Sequence, residues 1–124
     1  IEPNKNDWDL LFTQYIHVFQ NPTLPYLVTG VLLNRNNTSC AYNDTSSFEN
    51  ILYEDMPNYS FTSDLNAIGY DWKTYDFNSN AFTVLPEKNY IIKTANDSYF
   101  KLHFIDFYNE LGEKGYPKFE FQEL

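Results

Sequence analysis

The sequence predicts an all-β domain built from meander-rich antiparallel sheets with at most one short helix, and three observations carry that prediction. Eleven Tyr, eleven Phe and two Trp make aromatic residues 19% of the chain, and such rings favour the pleated, half-buried surface of a strand. Apolar and aromatic residues recur in runs long enough for a strand and too irregular for a helical stripe. The runs are separated by NSNA, PEKN, ANDS and LGEKG, which is short turn chemistry and implies antiparallel neighbours.

Residues 8–19 (WDLLFTQYIHVF) and 26–33 (YLVTGVLL) form the first two predicted strands, with QNPTLP as the loop between them. In the first, Leu10, Phe12, Ile16 and Val18 share one face with Gln14, while Leu11, Tyr15 and Phe19 share the other with Thr13 and His17, so both faces are expected to be partly covered. Residues 34–47 are polar and turn-rich, with a short strand expected near 39–42. The segment FENILYEDM, residues 48–56, allows a helical turn or two through Phe48, Ile51, Leu52 and Asp55, with Pro57 expected to stop it. Residues 57–67 are loop-like in composition. The last third reads as a meander of strands at 72–77, 82–85, 90–94, 99–108 and 116–122. Pro117 cannot donate to a ladder, which points to a strand start or a sheet edge.

At 124 residues the chain is expected to form one domain over 1–124, hiding roughly two-thirds of its unfolded surface. Its formal charge of −9 repels phosphate backbones, which argues against nucleic acid as a partner. Arg35 is the one arginine, so no guanidinium cluster is available to grip anions. Cys40 stands alone and excludes an internal disulfide. No apolar run approaches the roughly 20 residues of a transmembrane helix.

Catalytic patterns are missing: there is no GxSxG, no HExxH and no Cys/His pair at useful spacing, and no enzyme activity is expected. Asp76, Asn78, Asn80 and Glu87 match four positions of a calcium loop, but Ala81 stands where the sharp turn requires glycine, and hairpin chemistry accounts for them better. GEKG in acidic surroundings is a turn, not a nucleic-acid clamp. His103 shares a strand face with Lys101 and is expected to point to solvent, whereas His17 alternates with Tyr15 and Phe19 as a wall residue or a ligand-facing one. Met56 is the sole methionine; a thioether in a loop either fills an apolar gap or binds a soft metal such as haem iron, and packing is the preferred reading.

The closing run KLHFIDFYNELGEKGYPKFEFQEL, with WDLLFTQY, PYLVTGVLLN and GYDWKTYDF, resembles the HmuY family of bacterial haem-binding surface lipoproteins over most of the chain. The resemblance implies twisted antiparallel sheets whose loops form a haem pocket, no catalysis, and an exported protein that is lipid-anchored at the outer membrane or released, passing haem to a TonB-dependent outer-membrane receptor. Family members carry sequence ahead of the point where this chain begins, so residues 1–124 are expected to be the C-terminal part of a longer exported protein. The family's paired axial ligands do not transfer, since neither histidine lies in the loop-rich middle or near 72–77, where the pocket is expected. The axial candidates are Met56, Tyr42 and His17, in that order; Tyr42 qualifies because a phenolate coordinates ferric haem. Residues 34–66 carry a net charge of −4, which opposes haem propionates and leaves Arg35 and Lys73 as their candidate partners. The alternative is a HmuY-like β module that lacks haem ligation and binds another small hydrophobic ligand or a protein partner.

Overall fold

A computed structural model describes residues 4–124. Eight strands follow in order: β1 (Leu10–Phe19), β2 (Leu24–Leu33), β3 (Ser39–Asn43), β4 (Lys73–Asp76), β5 (Ala81–Val84), β6 (Asn89–Lys93), β7 (Tyr99–Tyr108) and β8 (Lys114–Glu123). They form a four-stranded sheet ordered β3-β6-β7-β8 and two hairpins, β1-β2 and β4-β5, all antiparallel. The fold is all-β, as the alternation and turn chemistry require.

The four-stranded sheet has two dissimilar faces, and its register sets them. Cys40 opposes Ile92, Tyr90 opposes Leu102, and Leu102 opposes Phe121; with Phe104 these residues point to the first face, where all but the largely exposed Phe121 join the main core. There Trp72 stacks on Phe104 at 4.0 Å, and Val31, Leu33 and Ile68 close the cluster. Ala41, Ile91, Lys101 and His103 point to the second face, where Ala41 and Ile91 pack with Ile51 and Met56 in a smaller cluster.

The register between Phe104 and Tyr108 shifts twice against β8. A bulge inserts an unpaired residue and rephases the strand, so Phe107, three residues after Phe104, turns back to the first face and is 2% exposed. Pro117 lies within β8, which is the outermost strand, in keeping with its missing N–H.

Residues 48–58 correct one sequence expectation. Instead of an α-helical stripe ended by Pro57, they form two 3₁₀ turns, Phe48–Asn50 and Tyr53–Asn58, and Pro57 lies inside the second. Ile51 and Met56 are the residues this arm buries, and their spacing of five does not fit one α-helical face. The Asp55 carboxylate accepts from the Leu52 N–H at 2.8 Å and restarts the chain after the interruption.

The arm also corrects the reading of His103. Its side chain is 12% exposed because the Phe48 ring stacks flat on it at 4.1 Å, while Nδ1 bonds the Pro86 carbonyl at 3.0 Å and Nε2 bonds Glu120. The turn at 76–80 is hairpin chemistry: Asp76 accepts from the Asn78 N–H at 2.9 Å and the Ser79 hydroxyl at 3.0 Å, and Asn80 takes a positive φ.

Candidate functional site

The β1-β2 hairpin is anchored at one end and projects at the other. At its root Leu33 and Val31 are fully buried, and Phe12 stacks on Phe119 at 4.9 Å. Towards the tip Ile16 (60%), Leu27 (58%) and Tyr26 (57%) are exposed. A two-stranded ribbon exposing this much apolar area is a candidate interaction surface.

The segment around residue 69 crosses onto the β2 edge and brings further rings to it. The Val31 N–H donates to the Gly69 carbonyl at 2.9 Å and the Gly69 N–H returns a bond of 3.1 Å. Only glycine fits at position 30: a Cβ there would sit 2.6 Å from the Gly69 oxygen. This close approach lays Tyr70 against the tip, 4.8 Å from the His17 ring and 5.7 Å from Phe19. His17 also meets Phe19 edge-on at 4.7 Å, and Phe19 meets Tyr26 at 6.2 Å. The result is a half-buried imidazole walled by two rings, Phe19 and Tyr70, and among the described residues no hydrogen bond engages either of its nitrogens.

Beyond Tyr70 the surface turns polar. Lys88 donates to the Asp71 carbonyl at 3.0 Å, pairs with the Asp71 carboxylate at 3.9 Å and lies 5.8 Å from the centre of the Tyr42 ring. Tyr42 and His17 therefore flank the same two residues, Tyr70 and Asp71. The phenols here titrate high. Burial and then the Asp71 charge raise Tyr70; burial, then Tyr70 and Asp71, raise Tyr15. Tyr42 is raised by desolvation and by its 3.1 Å bond to Asp44, with Asp71 and Glu87 adding to the effect. A phenol held protonated is a poorer metal ligand than a free one. Tyr15 Oη is buried beneath this surface without a hydrogen-bond partner in the structure.

The remaining candidates lie elsewhere. Met56 is 6% exposed in the small core on the second face, so the four-stranded sheet separates it from His17. Lys73 is buried, with Nζ donating to the carbonyls of Thr29 and Tyr70 and lying 4.3 Å from the Trp72 ring; two of its three donors are engaged, the one on Thr29 tying β4 to β2. Burial lowers its pKa to about 8, Asp71 opposing. Arg35 is exposed beyond the root of the hairpin. Seven register steps separate Leu10↔Leu33 from His17↔Tyr26, which puts Arg35 about 23 Å or more from the imidazole.

Sequence reasoning did not single out Tyr70 or Lys88. Tyr70 sat in GYDWKTYDF with nothing to show that it would cross to β1, and Lys88 lay in a turn. Two clefts open against the 48–58 arm on the second face. One of about 530 Å³ is lined by Phe48, Leu52, Tyr53 and Lys101 among others, and one of about 250 Å³ by Tyr53, Met56, Pro57 and Tyr99. His17 and Tyr42 line neither. Among the described residues no three His, Cys, Asp or Glu gather as a metal site, and no helix is long and apolar enough to cross a membrane.

The framework is antiparallel all-β and projects an aromatic ribbon beside an imidazole that no hydrogen bond engages among the described residues. The HmuY protein family matches residues 2–121, and the chain belongs to that family. The crystal structure of an apo HmuY analog (TFO) from Tannerella forsythia is similar in fold, with a TM-score of 0.54 at 12% identity, over 98% of this chain and 81% of that one. No curated protein matches the sequence.

Proposed function

We propose that this protein is a hemophore-like member of the HmuY family that takes up haem on the surface around His17 and hands it to an outer-membrane receptor of the TonB-dependent class. The observation that carries the reading is the imidazole between Phe19 and Tyr70, at 4.7 and 4.8 Å, on a ribbon whose apolar tip is exposed. Flat aromatic ligands bind such surfaces by stacking and area burial, and a neutral imidazole is a good iron ligand. Haem, when bound, would supply an iron for coordination; His17 would hold it, Tyr26 and Phe19 would flank the ring, and Lys88 would face a propionate more readily than Lys73, whose ammonium is buried on the Thr29 and Tyr70 carbonyls. Met56 keeps the packing role. The protein is exported, as a lipoprotein at the outer-membrane surface or released from it, and 1–124 is the β domain of a longer chain.

A second reading has its own support. No second neutral donor stands beside His17 among the described residues, Tyr42 is tied to Asp44, and Asp44, Asp71 and Glu87 outnumber Lys88 around the surface. These features suit a β module that has kept the framework and binds a different flat or apolar ligand, or a protein. Titration of the protein with ferric haem, ferrous haem and metal-free protoporphyrin separates the two. A Soret shift with haem at about 10 μM or below, and weaker binding of the metal-free ring, supports iron ligation. Equal binding of both rings supports the second reading, and binding of neither with the fold intact removes the haem proposal.

A further inference from the structure

We propose that two copies of this chain pair through the free edge of β1, strand to antiparallel strand about a two-fold axis at Gln14, so that the two hairpins join into one sheet ordered β2-β1-β1-β2. The pairing uses the edge of the ribbon and not the face that carries His17, and it stands whether or not haem binds there.

The main chain of β1 has one side bonded and one side open. The Asn34 N–H donates to the Asp9 carbonyl at 2.9 Å, which fixes the phase of the antiparallel ladder. Leu11, Thr13, Tyr15 and His17 turn their main-chain groups to β2, and Phe12, Gln14, Ile16 and Val18 turn theirs outward. The far edge of β2 agrees with this phase, since Val31 and Leu33, opposite Phe12 and Leu10, send their N–H groups away to Gly69 and Leu65. Among the described residues no main-chain partner meets the outward groups of β1. The strand also lacks the devices that keep an edge from pairing: its register with β2 runs unbroken from Leu10 to Phe19, and it contains no proline and no Asp, Glu, Lys or Arg. β8, an edge strand of equal length, carries Lys114, Pro117, Lys118, Glu120 and Glu123.

Charge and sequence identify the occupant as a second copy. Residues 10–33 contain no Asp, Glu, Lys or Arg, so all 17 acidic and 8 basic side chains lie outside the hairpin. Two chains of charge −9 repel over the rest of their surface and approach at least electrostatic cost here. With the axis at Gln14, an outward residue, β1 is complementary to itself. Phe12 then opposes Ile16 of the second copy, Leu10 opposes Val18, and the two Gln14 amides face each other. An amide offers both a donor and an acceptor. Gln14 is exposed, and its Nε2 makes only a 3.5 Å bond to Thr29 Oγ1, which leaves Oε1 open to a second amide. Ile16 and Val18, 60% and 45% exposed, gain apolar neighbours in the same register, and an edge so paired gains main-chain hydrogen bonds along its length.

The test is sedimentation equilibrium of the intact chain from about 1 to about 300 μM, with amide exchange measured at both ends of that range. The expected result is a monomer–dimer equilibrium in which the amides of Phe12, Gln14, Ile16 and Val18 exchange more slowly as concentration rises. Gln14→Glu and Gln14→Lys each set like charges against each other at the axis, and each should weaken the dimer at least about tenfold. A general charge effect would instead move these two variants in opposite directions, since one adds to the net negative charge and the other subtracts from it. Leu27→Glu, on the exposed face of β2 and one strand in from the edge, should leave the dimer intact. Gln14 and Leu27 are exposed, so the variants keep the fold. A chain that stays monomeric throughout, opposite effects of the two Gln14 variants, disruption by Leu27→Glu as strong as by Gln14→Glu, or concentration-dependent protection centred outside β1 would each overturn the proposal.

Discussion

Gly30→Ala tests the contact on which the candidate site is built. The new Cβ would lie 2.6 Å from the Gly69 oxygen and 3.0 Å from Tyr15 Cε1, closer than carbon and oxygen approach without repulsion, and the obstacle is backbone rather than a flexible side-chain end. Relief requires residue 69 to retreat from β2. That strains the Val31 N–H to Gly69 O bond of 2.9 Å, the Gly69 N–H to Val31 O bond of 3.1 Å and the Trp72 Nε1–H to Gly69 O bond of 3.1 Å. With about 1 kcal/mol for each hydrogen bond, less the ~0.4–1 kcal/mol that alanine gains by restricting the unfolded chain, the net loss is about 2 kcal/mol. That is about thirtyfold in the unfolding constant. Equilibrium urea denaturation followed by the fluorescence of Trp72, which stacks on Phe104, reads it directly. Because Tyr70 moves with residue 69, the variant should also leave His17 more exposed to solvent. An unfolding free energy within ~0.5 kcal/mol of the parent protein would refute the reasoning, since surface-like positions tolerate substitution at that level.

Lys101→Met keeps the aliphatic stem but removes the ammonium from the Phe48 and Ile51 carbonyls. It should cost about 2–3 kcal/mol in urea unfolding and speed amide exchange in residues 48–51. Lys73 is held at about 8, below its ordinary 10.5, so between those values the unfolded chain binds the proton and the folded chain does not. Stability relative to Lys73→Met should therefore be flat below about pH 7.5 and rise towards about pH 9.5; a fall over that range contradicts the burial assigned to the ammonium. Cys40 is 1% exposed and burial pushes its thiol up to about 12. It should resist a thiol reagent at about pH 8 in the native protein and react promptly in denaturant, and rapid native labelling would contradict its place in the core.

Much of the framework was legible in the sequence because alternation and turn residues are local signals. QNPTLP, ANDS and LGEKG each lie where a strand reverses, and β7 has the predicted bounds, 99–108. The bulge after Phe104 was not legible: strict alternation puts Phe107 with His103, and nothing in FIDFYN marks the rephasing that buries it. Lys101 and His103 look like a solvent face by pattern, yet a segment some fifty residues earlier in the chain covers them, and a period-two signal cannot report such a lid. The site was legible in part. Alternation placed His17 beside Tyr15 and Phe19, but its second wall, Tyr70, arrives through the Gly30–Gly69 approach, a long-range backbone contact with no local signature. Lys73 stood in the sequence as a candidate propionate partner, and its engagement was not legible because only the fold brings the Thr29 carbonyl and the Trp72 ring to it.

The most direct measurement is a visible-spectrum titration of ferric haem into the parent protein, His17→Ala and Met56→Ala side by side. The account predicts a shifted Soret band for the parent, an unchanged position for Met56→Ala, and loss of the shift with at least about tenfold weaker binding for His17→Ala. An identical spectrum and affinity for His17→Ala, or a shift abolished by Met56→Ala alone with the fold intact, would contradict it.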